Sequence, residues 1–197
     1  MRKWSLLHFL IWISLPPVLP QFAWSQSAKV ANQDSPCSPN SLPDGLQTKL
    51  AAQFASWRIQ DVHDLSPSAN ARWASGYYEG CPGIATGEFR DKIRPSYGVL
   101  LVPRDRPNAA YRFVVYTPAR GTSEEEFAVV EKRDVEGASN FFLNAAHLDA
   151  IFDEESRRKK HMSAKDAVLL FDAGETEYEV DAYYWSESAY RNSPVDL

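Results

Sequence analysis

The stretch Tyr97–Val102, YGVLLV, decides the fold because both of its alternating sets of side chains are apolar. Successive side chains of an extended strand point to opposite faces of a sheet. Pro95 and Pro103 bound the run, as is typical where a strand meets a turn. The stretch therefore predicts a central strand that is covered on both faces, and we expect helices to cover it.

Five further runs share this β-rich character and are separated by proline, glycine, asparagine or charged residues. They are Ile84–Arg90, Tyr111–Thr117, Glu126–Arg133, Ala167–Phe171 and Glu177–Trp185. Together with Ser96–Val102, the first three have the spacing of an antiparallel meander, and a short turn with Gly174 joins the last two. Trp57–Ile59 also alternates and predicts a short strand ahead of them.

Apolar residues at helical spacing predict two short helices before these strands. The stripe of the first runs from Leu42 to Phe54. The second begins at Ser66-Pro67, a capping serine followed by a proline in the first turn, and ends at Gly76. A longer amphipathic helix is predicted later in the chain. Its apolar stripe consists of Phe141, Phe142, Ala145, Leu148, Ile151 and Phe152.

This order of elements predicts an α+β fold. We expect one mainly antiparallel sheet of about five to six strands, with the two short N-terminal helices and the longer helix packed on it. A single domain is expected over residues 41–197, because no internal repeat occurs and this length suffices for one sizeable core. The composition, 44% hydrophobic and 24% charged, excludes a disordered or fibrous chain.

Residues 1–25 have the pattern of an export signal. Arg2 and Lys3 precede the apolar run Leu6–Leu19, and cleavage is predicted after Ser25. A retained membrane anchor is the alternative, but three prolines leave the run short of the roughly 20 apolar residues that a spanning helix needs. Residues 26–40 predict a flexible lead-in. We therefore expect an extracytoplasmic protein, periplasmic or secreted, with no integral membrane segment after cleavage.

The charge balance limits the classes of partner. Removal of Arg2 and Lys3 from the 21 basic residues leaves 19 against 26 acidic residues, a formal charge of −7. Nucleic acid and anionic lipid would need a basic surface, so neither is expected as a partner. The basic run Arg157–Lys160 follows Asp153–Glu155 at the four-residue offset that favours pairing along a helix. The run therefore indicates a solvated helix face.

The chain contains two cysteines, Cys37 and Cys81. An exported chain folds in an oxidising compartment, which predicts a disulfide between them. By the chain-entropy argument, closing a loop of this length stabilises the fold by about 4 kcal/mol. A reactive thiol and an anion-binding glycine loop are the alternatives for Cys81. The neighbouring Glu79 disfavours a thiolate, and the surrounding glycines fit no phosphate-binding spacing.

The best candidate catalytic pair is Asp61 and His63 in the stretch DVHD. A carboxylate beside an imidazole can orient a general base or contribute to a metal site. No third ligand is recognisable, and Asp64 precedes the predicted helix start, where capping is the ordinary role of acidic residues. No metal and no cofactor is predicted. His147 and His161 show no metal-ligand spacing and indicate structural or solvated roles.

Aromatic residues cluster near the C-terminus, where Tyr183-Tyr184-Trp185 continues the last predicted strand. Tyr183 and Trp185 share the face that carries alternating acidic residues, so they are the pair expected to be exposed. Exposed tyrosine and tryptophan side chains suit interfaces and sugar platforms. Binding of a carbohydrate or another cell-envelope ligand is one hypothesis for this pair, and packing in the core is the alternative.

Four features resemble a group of small exported bacterial proteins of unknown function. They are Trp57, CPGIATG at 81–87, YGVLLVP at 97–103 and YYW at 183–185. The resemblance spans Leu46 to Trp185. It implies an exported bacterial α+β domain and carries no activity, ligand or catalytic residue.

The leading functional hypothesis is a non-catalytic extracytoplasmic protein, either a partner-binding or an inhibitor-like module. Its partner would be a protein or a cell-envelope ligand, recognised through a sheet edge and loops. The hypothesis depends on the absence of a complete catalytic set from the sequence motifs. The alternatives are an extracytoplasmic hydrolase that uses carboxylates with His63 and a carbohydrate-binding domain.

Overall fold

The stretch Tyr97–Val102 lies inside the first of two antiparallel sheets. The computed structural model describes residues 36–76, 80–121, 123–174 and 178–196, which belong to one compact unit. The helices are α1 Asp44–Gln53, α2 Pro67–Ser75, α3 Leu148–Ile151 and α4 Glu154–Lys159. The strands are β1 Trp57–Ile59, β2 Ile84–Gly87, β3 Ser96–Pro103, β4 Tyr111–Thr117, β5 Glu126–Arg133, β6 Phe141–His147, β7 Asp166–Ala173, β8 Tyr178–Ser186 and β9 Ala189–Pro194. The predicted export signal and residues 26–35 of the predicted lead-in lie outside the described residues.

The described strands confirm an antiparallel α+β protein but form two sheets instead of one. The first sheet has the order β1-β3-β4-β5, and β2 pairs with the other half of β3. The second is the meander β6-β7-β8-β9. The single sheet of five to six strands is therefore wrong. A strand pattern shows which residues are extended, whereas the choice of pairing partner depends on the whole fold.

Strand β3 is covered on both faces, as its sequence predicts, but one cover is the second sheet. Leu100 and Val102 are buried in a core that also holds Val168 of β7. Val99 lies on the other face and is buried with Leu46 of α1. A helix and a sheet thus enclose the central strand.

The outer face of the second sheet is covered by α2 and α3. Trp73 of α2 and Leu148 of α3 are buried with Phe142 and Phe171. The Trp73 ring meets Phe142 edge-on, with 5.5 Å between ring centroids. The Ser66 hydroxyl accepts a hydrogen bond from an N–H in the first turn of α2, which confirms the predicted helix start. The layers therefore run helix, sheet, sheet, helix.

The longer helix predicted over Phe141–Phe152 is wrong. Its first half is strand β6, and the two short helices α3 and α4 follow. In β6, Phe142 stacks on Phe171 with ring centroids 4.7 Å apart, and Leu143 is buried on the opposite face. Apolar residues on both faces of a short run satisfy the helical and the extended periods equally. Pairing with β7 selects the strand.

The predicted disulfide between Cys37 and Cys81 is confirmed, with Cα atoms 5.0 Å apart. Both residues are buried in the core between α1 and the first sheet. The bond ties the segment before α1 to the turn before β2. It also excludes a free thiol at Cys81, and bonds of this kind persist in oxidising, extracytoplasmic compartments.

Candidate functional site

Asp61 and His63, the candidate catalytic pair, lie in a turn that caps itself. The Asp61 carboxylate accepts a hydrogen bond from the His63 backbone N–H at 3.2 Å. Asp64 accepts from the Asp61 N–H at 2.8 Å and pairs with the Arg58 guanidinium. The His63 side chain is exposed. No group of three potential metal ligands converges in the described part of the chain, so the pair meets here only as part of a capped turn.

Tyr183 and Trp185, expected to be exposed, are buried, with exposures of 5% and 4%. The Tyr183 ring lies edge-on to Phe113 of the first sheet, with 5.0 Å between centroids. The Arg90 guanidinium lies 3.5 Å from the centre of the Trp185 ring, and Tyr190 packs against the same ring. The prediction of an exposed aromatic pair is therefore wrong, although Glu179 on the same face of β8 is exposed.

The acidic residues of that face gather around Glu131 of β5 at the margin between the sheets. Glu131 accepts hydrogen bonds from the hydroxyls of Tyr111 and Tyr183, one from each sheet. Asp172 and Asp181 line the same opening, and burial is the main cause that raises the pKa of both carboxyls. The opening measures only about 50 Å³. It is far smaller than the roughly 300 Å³ at which small-molecule pockets begin. The acidic cluster therefore has a structural role, in which it closes the margin between the two sheets.

An apolar cleft of about 280 Å³ opens between the end of α1 and strand β1. We call it the α1–β1 cleft. Its walls include Leu50 and Phe54 from the helix side, Trp57 and Ile59 from β1, and Leu101 from β3. The rings of Phe54 and Trp57 are half-buried and meet edge-on, with centroids 6.4 Å apart. Half-buried aromatic rings beside an apolar cleft are typical of recognition surfaces.

The local chain path explains how these two rings meet. The Phe54 N–H donates to the Leu50 carbonyl at 2.8 Å and ends α1. The Trp57 N–H then donates to the Phe54 carbonyl at 2.9 Å, so the chain reverses within three residues. Strand β1 pairs with the end of β3, with Trp57 opposite Pro103. The cleft is therefore bounded by a helix end on one side and a short edge strand on the other.

The charged residues that line the cleft are arginines. Arg104 is exposed and donates from Nε to a backbone carbonyl at 3.3 Å. Arg58 is paired with Asp64. Arg112 does not line the cleft; its guanidinium lies 4.6 Å from the centre of the Trp57 ring and pairs with Asp134. No carboxylate among the described residues lines the cleft, although the chain has an excess of acidic residues. A ligand with an apolar group beside a negative charge would be complementary.

Sequence reasoning does not identify this cleft. It places Phe54 on the stripe of the first helix and Trp57 on a short strand, and both placements agree with the structure. The cleft exists because the turn between them brings the two rings together. An aromatic residue at a helix end, followed three residues later by another at a strand start, is the signal that could have indicated it.

Comparison of the chain with protein-family models, with curated proteins and with solved structures finds no match. The resemblance to small exported bacterial proteins therefore stays a prediction. Among the described residues, no helix has the length and apolar character to cross a membrane. The function must be argued from the geometry and charge of the site itself.

Proposed function

We propose that the protein is an extracytoplasmic, non-catalytic binding module that recognises a protein partner through the α1–β1 cleft. The partner places an apolar side chain in the cleft and an acidic residue near the arginines at its rim. The observation that carries the proposal is an apolar cleft lined by Arg104, which has no carboxylate partner among the described residues, in an otherwise acidic chain. Arg58, the other charged lining residue, is paired with Asp64.

The size of the cleft favours an anchoring side chain over a whole small molecule. Its volume of about 280 Å³ lies just below the roughly 300–1,000 Å³ typical of small-molecule pockets. Aromatic and arginine residues at the centre of an interface commonly contribute most of its binding free energy. Phe54, Trp57 and Arg104 are of these types, and they lie together at this cleft.

The other functional hypotheses receive no support from the geometry. A hydrolase centred on His63 would need further acids or histidines around it, and the imidazole lies in an exposed capping turn. A sugar platform would need Tyr183 and Trp185 at the surface, and both are buried. The disulfide supports the extracytoplasmic location, and the predicted export signal agrees with it.

Selection of a displayed peptide library on the purified, oxidised protein tests the proposal. We expect enrichment of peptides in which a large apolar residue stands beside Asp or Glu, with affinities measured by fluorescence anisotropy. Ala51→Trp fills the cleft and should abolish binding. Ala74→Trp, on the exposed surface of α2, is the matched control and should bind as the wild type does. Arg104→Gln should weaken binding a few-fold at low salt, because rim charges act mainly on association.

Three results would contradict the proposal. The first is that no sequence is enriched above background. The second is that the enriched peptides lack acidic residues. The third is that they bind the Ala51→Trp variant as tightly as the wild type.

A further inference from the structure

A second groove, of about 380 Å³, lies where β6 ends and β7 begins. We call it the β6–β7 groove. Lys92, Arg157 and Lys165 line it together with His147, and Asp149 is the carboxylate among its described lining residues. We propose that this groove binds a small oxyanion of the phosphate or sulfate type, free or as an ester. It shares no lining residue with the α1–β1 cleft and does not depend on the function proposed there.

Arg157 is the lining residue that most needs a partner. Its Nε is buried and has no hydrogen-bond acceptor among the described residues. Some other arginines pair with carboxylates, as Arg58 does with Asp64 and Arg94 with Asp91. A buried guanidinium N–H without an acceptor costs free energy. Arg157 also forms no ion pair with the described residues, so the charge of its guanidinium is open to a ligand in the groove that the side chain lines. The planar arrangement of donors suits the guanidinium to phosphate and sulfate groups.

The two lysines add positive charge that the groove only partly offsets. Lys165 Nζ lies 3.4 Å from a Glu88 oxygen. Lys92 has no ion pair with any residue in the described ranges. Three cationic side chains, Lys92, Arg157 and Lys165, line the groove against one lining carboxylate, Asp149. Glu88 contacts Lys165 and Asp166 contacts His147, so the lining itself is cationic while two further carboxylates lie beside it.

Within the basic run Arg157–Lys160 of helix α4 and its C-terminal end, Arg157 is the residue that lines the groove. Lys159 pairs with Glu155 at 2.7 Å, at the predicted four-residue spacing. Arg158 is exposed and lies outside the groove. Lys160 donates a hydrogen bond to a serine of β9 at 3.0 Å. The solvated helix face predicted for this run therefore describes Lys159 and Arg158, whereas Arg157 contributes to the groove.

His147 lies at the groove with one ring nitrogen already engaged. Its Nδ1 contacts the carboxylate of Asp166, its cross-strand neighbour. Asp166 is only 7% exposed, and its other oxygen accepts from the Glu88 N–H at 2.8 Å. These contacts hold the ring in place and leave Nε2 open, where the protonated imidazole can donate a hydrogen bond to a ligand oxygen. The side chain of His147 is 60% exposed, so a ligand can reach it.

The size of the groove admits more than the anion alone. Its volume lies within the roughly 300–1,000 Å³ of small-molecule pockets, so the phosphate or sulfate ester of a small molecule would fit. Inorganic phosphate and inorganic sulfate carry the shared chemistry and are therefore the simplest probes.

Isothermal titration calorimetry of the oxidised protein tests the proposal with inorganic phosphate and, separately, inorganic sulfate at low ionic strength. The wild type is expected to bind at least one of them. Arg157→Gln should weaken binding about tenfold or more, because it removes a charged hydrogen-bond donor. Arg158→Gln, one residue along the same helix but outside the groove, should change binding less than about twofold.

A second pair of variants tests the role of the imidazole. His147→Ala should weaken anion binding, and His161→Asn, outside the groove, should not. In the wild type, the ¹⁵N chemical shifts of the His147 ring should change on titration with the anion. Melting temperatures of all variants show whether each one is folded. Arg157→Lys serves as a second variant, since it keeps the charge but not the planar donors.

Either of two results would overturn the proposal. One is the absence of phosphate and sulfate binding at millimolar concentration. The other is an equal loss of affinity in Arg157→Gln and Arg158→Gln, which would indicate diffuse attraction by surface charge. Ala51→Trp should leave anion binding unchanged, so failure of this proposal and failure of the partner-binding proposal are distinguishable.

Discussion

The Cys37–Cys81 disulfide is the cross-link of the described chain, and it joins the segment before α1 to the turn before β2. It closes a loop with a sequence separation of 44 residues that contains α1, β1 and α2. Such a bond acts mainly on the unfolded chain, because it reduces the number of conformations open to it. The contribution of these two residues therefore depends on the length of the loop between them.

Replacement of both cysteines by serine should lower the free energy of unfolding by up to about 4 kcal/mol and the melting temperature by several degrees. Thermal melting of the oxidised proteins measures the change. The control is the reduced wild type, which should melt like the variant. Identical melting of the oxidised wild type and the variant would show that the bond contributes no stability.

Asp181 links the stability of the acidic cluster to pH. Burial, and then the carboxylates of Glu131 and Glu179, raise its pKa above the ordinary aspartate value. The native state therefore binds this proton more tightly than the unfolded chain does. The stabilisation from this group is fully present below the unfolded pKa and is lost as the pH rises through the higher native pKa.

Asp181→Asn should therefore raise the free energy of unfolding at pH 7 and change it little at pH 3. Urea unfolding at the two pH values measures both effects. Glu125→Gln is the opposite case, because hydrogen bonds from Lys49 and Tyr116 lower the pKa of Glu125. That variant should lose stability at pH 7 and not at pH 3. A destabilised Asp181→Asn protein at pH 7 would refute the assignment.

Elements whose ends carry a local sequence signal were predicted correctly, whereas elements without such a signal were not. Helix α2 begins after Ser66, where the capping serine and Pro67 predict it. Strand β6 has no such signal, and its apolar residues satisfy two periods at once. Strand β9, Ala189–Pro194, is polar and ends in proline, so nothing in it predicts a strand. It is extended because it pairs with β8 at the edge of the second sheet.

Leu143 distinguishes the strand from the helix predicted for the same segment. It lies off the predicted helical stripe but is fully buried between the sheets in β6. Leu143→Ala should cost about 2–5 kcal/mol of unfolding free energy, measured by urea unfolding. Asn144→Ala, at the partly exposed next position, should cost less than about 1 kcal/mol. Small and equal costs at both positions would speak against the strand.

At the scale of the whole molecule, the two sheets pack at Gly98 without a side chain from β3. A Cβ atom at this position would lie 3.1 Å from Val168 Cγ1 and 3.3 Å from Phe113. Val168 belongs to β7, so the first of these contacts would be made between the sheets. The glycine therefore allows the close approach of β3 to the second sheet.

Gly98→Val should destabilise the protein by about 1–3 kcal/mol, because it overpacks the contact between the sheets. Combination with Val168→Ala should recover part of this loss, with a coupling of about 0.5–3 kcal/mol in a double-mutant cycle. The same cycle with Leu46→Ala, on the α1 side of the first sheet, should be additive. Additivity in both cycles would argue against direct packing of the two sheets.

The candidate sites also depend on contacts between residues that are distant in the chain. Asp61 and His63 are neighbours in sequence, and the structure keeps them together only in a capped turn. His147 and Asp166 are far apart in sequence and meet because they are register partners in β6 and β7. Arg157 joins them at the groove from helix α4. Sequence motifs detect residues that are close together in the chain. They do not detect residues that meet only through strand pairing.

The sequence by itself determined the features that depend on neighbouring residues. These are the bounds of β4 and β5, the start of α2, the two-sided burial of β3, and the disulfide, for which only one pairing exists. The tertiary structure alone decided the number of sheets, the strand at Phe141–His147, and the burial of Tyr183 and Trp185. It also decided the α1–β1 cleft and the β6–β7 groove. The reason is physical. A local pattern limits the conformation of a segment, whereas burial and strand pairing depend on contacts with residues that are distant in the chain.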